Sequence, residues 1–178
     1  DLSIDTSPTV NILTTLQVPR LKVLMDTLSY SAALTASQGE ILAAFGINSG
    51  SVTNLNGLFS MEINGSSDPD AVLLATSSIL MQMAGTRSGE TGASKSAELS
   101  YFISQISNDI ASDGILSDSN LISRIASAAS GLNLSAVRTN VETYYANKGV
   151  VIVAPKFEEW VDKDGSSNLP RRSISITG

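Results

Sequence analysis

The densest group of reactive side chains lies near the end of the sequence, in the stretch FEEWVDKDGSSNLPRR, residues 157–172. Four carboxylates surround Trp160 in this stretch: Glu158, Glu159, Asp162 and Asp164. A glycoside hydrolase needs two carboxylates about 5–10 Å apart on opposite sides of a cleft, and an aromatic ring can hold the sugar. A carbohydrate-active hydrolase that uses the carboxylates of residues 158–164 is therefore one candidate function.

A structural role for the same stretch is the interpretation that we favour. Carboxylates crowded into one exposed segment seldom flank a cleft, and no other acidic group is placed to face them. We expect Phe157 and Trp160 to pack onto the fold and to pin the outgoing chain, while the acids stay in solvent. This interpretation predicts no catalytic residue.

An incomplete calcium-binding motif overlaps the acidic stretch. Asp162 and Asp164 reproduce the Asp-x-Asp start of an EF-hand loop, which then requires a ligand, a glycine and a glutamate at positions 5, 6 and 12. This sequence has serine at all three of those positions. One interpretation is a weak, partly hydrated calcium site made by Asp162, Asp164 and Asn168. The other, which the missing ligands favour, is an Asp-Gly turn in a surface linker, with no metal and no other cofactor.

The stretch GETGASKS, residues 89–96, is close to the phosphate-binding pattern G-x-x-x-x-G-K-[ST]. Ser94 stands where the pattern has the glycine that lets the backbone approach a phosphate. The residues before it continue a helical pattern, whereas a phosphate-binding loop follows a strand. We interpret this stretch as a connection between two helices.

Composition excludes several classes of function. The sequence has no histidine and no cysteine, which excludes Ser-His-Asp and Cys-His catalysis and ordinary zinc sites. The net charge is −6 and the 11 basic residues are scattered, so nucleic acid is not an expected partner. No stretch approaches the roughly 20 apolar residues of a transmembrane helix.

Helical periodicity dominates the chain and predicts an all-α bundle of about six helices with a short C-terminal β or extended segment. The clearest helix start is SDPDAVLLATSSILMQMAG, with Asp68 as the expected cap and Pro69 in the first turn. We expect this segment to form the buried central helix, followed by a flexible loop at 85–93. Strand character appears in Val150–Pro155 and weakly in Ser173–Thr177.

Three local details carry further expectations. Pro19 lies inside the first helical pattern and predicts a kink, or two short helices that meet near Val18. Ser135 is the expected cap of the sixth helix. Met81 and Met83 are expected to fill gaps in the core.

The length of 178 residues fits one domain with a small appendage. We divide the chain into an incoming linker at 1–9, a helical domain at 10–155, and a C-terminal extended segment with an outgoing linker at 156–178. The chain opens without methionine or a signal-peptide pattern, so we interpret it as an excised fragment or a mature product.

The order of five segments carries a resemblance to a known family: VNILTTLQVPRLKVLM, SQGEILAAFGI, SSDPDAVLLATSSILMQ, ELSYFISQISNDIASDGILSD and LNLSAVRTNVETYYANKGVVIVAPKFEEWVDKDG. Together they resemble the helical domain of large bacterial cell-surface and lipoprotein-type proteins, over nearly all of residues 8–165. In that family a β-sandwich similar to the carboxypeptidase regulatory domain precedes the helices, and immunoglobulin-like or other repeats often follow. The aspartate-rich run of the family is reduced here to Ser-Ser-Asn, which weakens the expectation of a metal site.

The resemblance implies a non-enzymatic extracellular module at the surface of a bacterium. Its expected work is to act as a spacer or to bind a glycan or protein ligand in a groove between helices. Its expected partners are neighbouring β-domains of the same polypeptide. The frequent serine, threonine and asparagine residues are common in secreted and surface-exposed chains. The resemblance supplies no catalytic residues.

Overall fold

The computed structural model describes residues 10–161, and the two ends of the chain lie outside that range. Six α-helices make up the fold: α1 (Ile12–Leu24), α2 (Tyr30–Ala43), α3 (Asp68–Thr91), α4 (Lys95–Asp113), α5 (Ser119–Ser130) and α6 (Leu134–Ala146). Three short 3-10 turns complete it: Ser49–Ser51, Leu58–Ser60 and Phe157–Trp160. No strand is present within the described range. The predicted all-α bundle of six helices is confirmed.

Every helix begins at a small polar residue whose side chain accepts a backbone N–H of the first turn. These caps are Asn11, Ser29, Ser67, Ser94, Asp118 and Asn133. Such caps satisfy donors that have no partner inside the helix. The predictions of Asp68 and Ser135 as caps are wrong by one and two residues. Ser67 is the cap of α3, and Asn133 is the cap of α6.

The helix α3 is the centre of the bundle and packs against α1, α4, α5 and the final 3-10 turn. Its first four turns are almost wholly buried, as the nearly continuous run of apolar and small residues predicts. Phe102 and Ile106 of α4 pack with Leu80 of α3 in the main core. Of the two methionines expected in the core, Met83 is buried and Met81 is exposed.

The helix α3 is longer than the sequence predicts and replaces the expected flexible loop at 85–93. It continues to Thr91 and ends at Gly92, whose φ of 75° is a left-handed cap that glycine adopts without strain. The last two turns hold ion pairs from Arg87 and Glu90 to other helices. These contacts offset the roughly 1 kcal/mol by which each internal glycine disfavours a helix.

A buried polar contact ties α1 to α2 and α4. Arg20 donates to both oxygens of Glu40, with Nε–Oε2 at 2.7 Å and Nη2–Oε1 at 2.9 Å. Its Nη1 also donates to the carbonyl of Ser112, at 2.8 Å, in the last turn of α4. Arg20 lies in α1, which runs as a single helix through Pro19, so the alternative of two short helices is wrong.

A second, smaller core forms where the chain returns along α3. Phe157 and Val161 are buried there, and Trp160 is partly buried against both cores. The predicted packing of Phe157 and Trp160 onto the bundle is confirmed. Val137 and Val141 of α6 pack against this second core, although no residue of α6 is fully buried. The position of α6 therefore depends on the returning chain.

The segment Val150–Pro155 does not form the predicted strand, because no neighbouring strand is available to it within residues 10–161. Side chains of α6 fix its end instead, as described below. The weaker strand predicted at Ser173–Thr177 lies outside the described residues.

Candidate functional site

The residues predicted from the acidic stretch fall on both sides of the boundary at 161. Asp162, Asp164 and Asn168, the candidate calcium ligands, lie outside the described residues. Glu158 and Glu159 lie in the 3-10 turn that closes the second core. Within residues 10–161, no group of three or more acidic residues is placed to hold a metal ion.

Glu158 makes an ion pair with Arg138 of α6. The Nη2 of Arg138 lies 2.7 Å from Oε1 and 2.9 Å from Oε2 of Glu158, and Nε donates to Oε1 at 2.9 Å. The same guanidinium donates to the carbonyls of Ala154, at 2.6 Å, and Pro155, at 3.0 Å. Its Nη1 also lies 3.5 Å from Glu142. Two carboxylates therefore share one cation, and this arrangement joins α6 to the returning chain. We call Arg138, Glu142 and Glu158 the clamp.

The near match to a phosphate-binding loop is a tight joint between α3 and α4. Gly89 lies inside α3, Gly92 is its C-terminal cap, and Ser94 is the N-terminal cap of α4. Across the joint Ser88 donates to the carbonyl of Ala93, at 2.6 Å. A helix leads into this stretch instead of a strand, so the joint does not resemble a nucleotide site.

A groove of about 490 Å³ lies between α3 and α5 and brings polar groups of the two helices together. Two polar stripes face each other across it. The stripe on α3 follows a spacing of four residues, and the stripe on α5 a spacing of three or four, so each occupies one helix face. The α3 stripe consists of Gln82, Thr86 and Glu90; the α5 stripe consists of Asn120, Ser123, Arg124 and Ser127.

The floor of this groove is apolar and its rim is polar. Met83 and Ala128 are buried and line the groove between the two stripes. The rim carries amides, hydroxyls and one ion pair, in which Nη2 of Arg124 lies 3.2 Å from Oε2 of Glu90. A usual small-molecule site is lined mainly by apolar residues, whereas this lining is mainly polar, so it suits a ligand that is itself polar.

Arg124 and Arg87 each make a single hydrogen bond in the part of the chain that the structure describes, but only Arg124 lines the groove. Arg20 and Arg138 each donate several hydrogen bonds to carboxylates and carbonyls. Arg87 donates to Glu98 and stacks 4.1 Å above the ring of Tyr101. Arg124 makes one hydrogen bond, to Glu90, although a guanidinium has five N–H donors. Its remaining donors are available to a ligand in the groove.

A second ion pair strengthens the same end of the bundle. Glu98, at the start of α4, accepts from the Thr91 hydroxyl at 2.5 Å and from Nε of Arg87 at 2.5 Å. The Thr91 hydrogen bond, with the Arg87 hydrogen bond and charge, holds the pKa of Glu98 below its usual value, against the opposing effect of burial. Arg124 adds a smaller attraction in the same direction.

Sequence reasoning missed the groove, although a signal for it exists. The polar residues of each stripe recur at helical spacing, but they are surrounded by serines on other faces and do not stand out. What completes the groove is the contact between Glu90 and Arg124, which are 34 residues apart. Such a pairing depends on how α5 packs against α3.

Comparison with protein-family models, with curated proteins and with solved structures gives no match to this chain. Among the described residues, none of the helices combines the length and the apolar character needed to cross a membrane.

Proposed function

We propose that this chain is a non-enzymatic extracellular module of a bacterial surface protein that binds a neutral glycan in the α3–α5 groove and spaces neighbouring β-domains. The observation that carries the proposal is the pair of facing polar stripes. Glu90 and Arg124 place an acceptor and a donor group side by side, within reach of the same ligand.

The chemistry of the groove suits a polyhydroxylated ligand. A sugar presents adjacent hydroxyls that both donate and accept, and a carboxylate beside a guanidinium can satisfy both roles. Gln82 and Asn120 add amides that donate and accept as well. The buried floor of Met83 and Ala128 offers apolar contact to the C–H face of a sugar ring. Because the ion pair is neutral overall, we expect uncharged sugars to bind better than acidic ones.

The non-enzymatic part of the proposal is supported by the clamp. Glu158, which lies in the same 3-10 turn as Trp160, is engaged by Arg138 and stabilises the returning chain. The hydrolase alternative loses support because this carboxylate shares a cation with Glu142 instead of facing it across an open cleft. The surface location is supported by the composition and by the resemblance described above.

Two experiments test the proposal. Titration of the chain with neutral oligosaccharides of hexose and N-acetylhexosamine units, followed by amide NMR, should shift signals along the two stripes and leave the sugars uncleaved. Shifts elsewhere, no shifts with any sugar, or release of reducing ends would contradict it. Trypsin treatment of intact cells of the source organism should release peptides of this domain. Their release only after lysis would contradict the surface location.

A further inference from the structure

The segment Val150–Val153, here called the valine arm, exposes more apolar surface than its composition predicts. Val151 is 91 % exposed and Val153 is 76 % exposed, although four consecutive β-branched residues ordinarily lie in a buried strand. Neither side chain belongs to the main or the second core. An exposed apolar run of this kind marks an interaction surface or an aggregation hazard.

Both ends of the valine arm are fixed to α6. At its start, the N–H of Val150 donates to the carbonyl of Tyr145, at 3.0 Å, and Gly149 turns the chain with a φ of 78°. At its end, the N–H of Ala154 donates to Glu142 at 3.1 Å, and its carbonyl accepts from Arg138. A segment anchored at both ends loses less conformational entropy when a partner orders it.

The backbone of the valine arm has unused hydrogen-bonding groups. The N–H groups of Val151, Ile152 and Val153 have no partner among the residues that the structure describes. Unused donors and acceptors beside β-branched side chains are the features by which an exposed strand edge accepts an additional strand.

Lysines flank the valine arm symmetrically, and this determines the type of partner. Lys148 and Lys156 each stand four positions from Ile152. Gly149 turns the chain just before the arm, and Nζ of Lys148 lies 4.4 Å from the centre of the Tyr144 ring. If two copies of the chain paired in antiparallel fashion about Ile152, Lys148 of one copy would come near Lys156 of the other at each end of the pair. Like charges directly opposite each other destabilise a pair of strands, whereas opposite charges stabilise it. The arm therefore favours a strand that carries carboxylates at its ends over a second copy of itself.

We propose that the valine arm is a docking site for one extended strand of β-branched residues with acidic residues at its ends, supplied by a neighbouring β-domain. The strand adds to the arm by backbone hydrogen bonds, and its carboxylates face Lys148 and Lys156. This inference deepens the proposed function, because it names the surface through which the module contacts its β-domain neighbours.

The test uses the full 178-residue chain and a capped nine-residue peptide, Glu-Thr-Val-Thr-Val-Thr-Val-Thr-Glu, with a matched peptide that has lysine at both ends. We expect the acidic peptide to slow amide hydrogen exchange at alternate positions of the valine arm at least about tenfold, and the lysine peptide to bind at least about fivefold more weakly. Unchanged exchange with the acidic peptide at millimolar concentration overturns the proposal. Protection that grows with protein concentration alone, without peptide, assigns the arm to a second copy and also overturns it.

Two proline variants show whether binding uses the backbone. N–H groups along a strand alternate in direction, so only one of Val151→Pro and Ile152→Pro should lose peptide binding, while the other retains most of it. Both should melt at the temperature of the parent chain, because neither N–H has a partner to lose among residues 10–161. Equal binding by both variants overturns the proposal. Glycan binding in the α3–α5 groove is measured separately, so failure of the arm and failure of the groove are distinguishable.

Discussion

Arg138 binds Glu158 through three nitrogen–oxygen contacts of 2.7 to 2.9 Å, and the same guanidinium donates to two carbonyls of the returning chain. The pair joins α6 to a segment 20 residues later in the sequence. Since α6 has no fully buried residue, this clamp and the second core together fix its position. The clamp gives Glu158, one of the carboxylates that resembled a catalytic group in the sequence, a structural role.

Loss of the clamp should destabilise the domain. Arg138→Met should lower the free energy of unfolding by about 1–2 kcal/mol, since it removes charged hydrogen bonds that are only partly exposed to solvent. Urea denaturation measures this loss. The matched control is Lys22→Met, a change of the same kind at an exposed position of α1, which should cost less than about 0.5 kcal/mol. Equal stability of the two variants would contradict the assigned role.

The buried ion pair of α1 should contribute more than the clamp. Arg20 is 8 % exposed, and its removal would leave Glu40 and the last carbonyls of α4 without their donor. Arg20→Met should therefore lower stability by about 3 kcal/mol. Thermal and urea unfolding measure the loss, with Lys22→Met again as the control. A loss of unfolding free energy below about 1 kcal/mol would contradict the prediction, since it would mean that water replaces the guanidinium as the donor to Glu40.

The pKa of Glu98 should respond to Thr91. The Thr91 hydroxyl is the largest cause of the lowered pKa, so Thr91→Val should raise it toward the ordinary glutamate value of about 4.3. Because the folded-state pKa is depressed, this carboxylate stabilises the fold above its ordinary pKa, and the contribution is lost as pH falls through the folded-state value. Carbon-13 NMR titration of the side chain measures the shift, and Thr35→Val, at an exposed position of α2, is the control. An unchanged pKa in Thr91→Val would show that the ion pair with Arg87 dominates.

Calcium should not change the stability of the chain. The incomplete motif around Asp162 and Asp164 favours a linker turn, so we expect the same melting temperature in excess calcium and in chelator. A bound ion at a hundred times its dissociation constant would add about 2.7 kcal/mol and raise the melting temperature by roughly 5–10 °C. A rise of that size in the parent chain, absent in the double variant Asp162→Asn and Asp164→Asn, would restore the metal site.

Much of the fold could be predicted from the sequence because its signals are local. The Ser-Asp-Pro-Asp start of α3 and the Asp113-Gly114 end of α4 depend on residues within one helical turn. The length of α3 could not be predicted in this way, since its last turns depend on contacts with α4 and α5. The glycines and the polar residues of 85–93 are typical of a loop. In the structure the stretch up to Thr91 is helical, and Arg87 and Glu90 make ion pairs with α4 and α5.

The candidate site was harder to predict for the same reason. The carboxylates of residues 158–164 stood out because they are adjacent in sequence, yet Glu158 has its partner in α6. The polar stripes of the groove are spread over two helices, and nothing local distinguishes Arg124 from Arg138. The difference between them appears only in their hydrogen bonds. Arg138 donates to Glu158 and to two carbonyls, whereas Arg124 donates one hydrogen bond, to Glu90.

The most direct test of the account is the affinity of Arg124→Met for the neutral oligosaccharide that binds the parent chain most tightly. Loss of charged hydrogen bonds should weaken binding at least about tenfold, or about 1.4 kcal/mol, with little change in melting temperature. Lys22→Met should bind like the parent chain. Isothermal titration calorimetry of the three proteins gives the comparison. Equal affinity of Arg124→Met and the parent chain would contradict the α3–α5 groove as the ligand site.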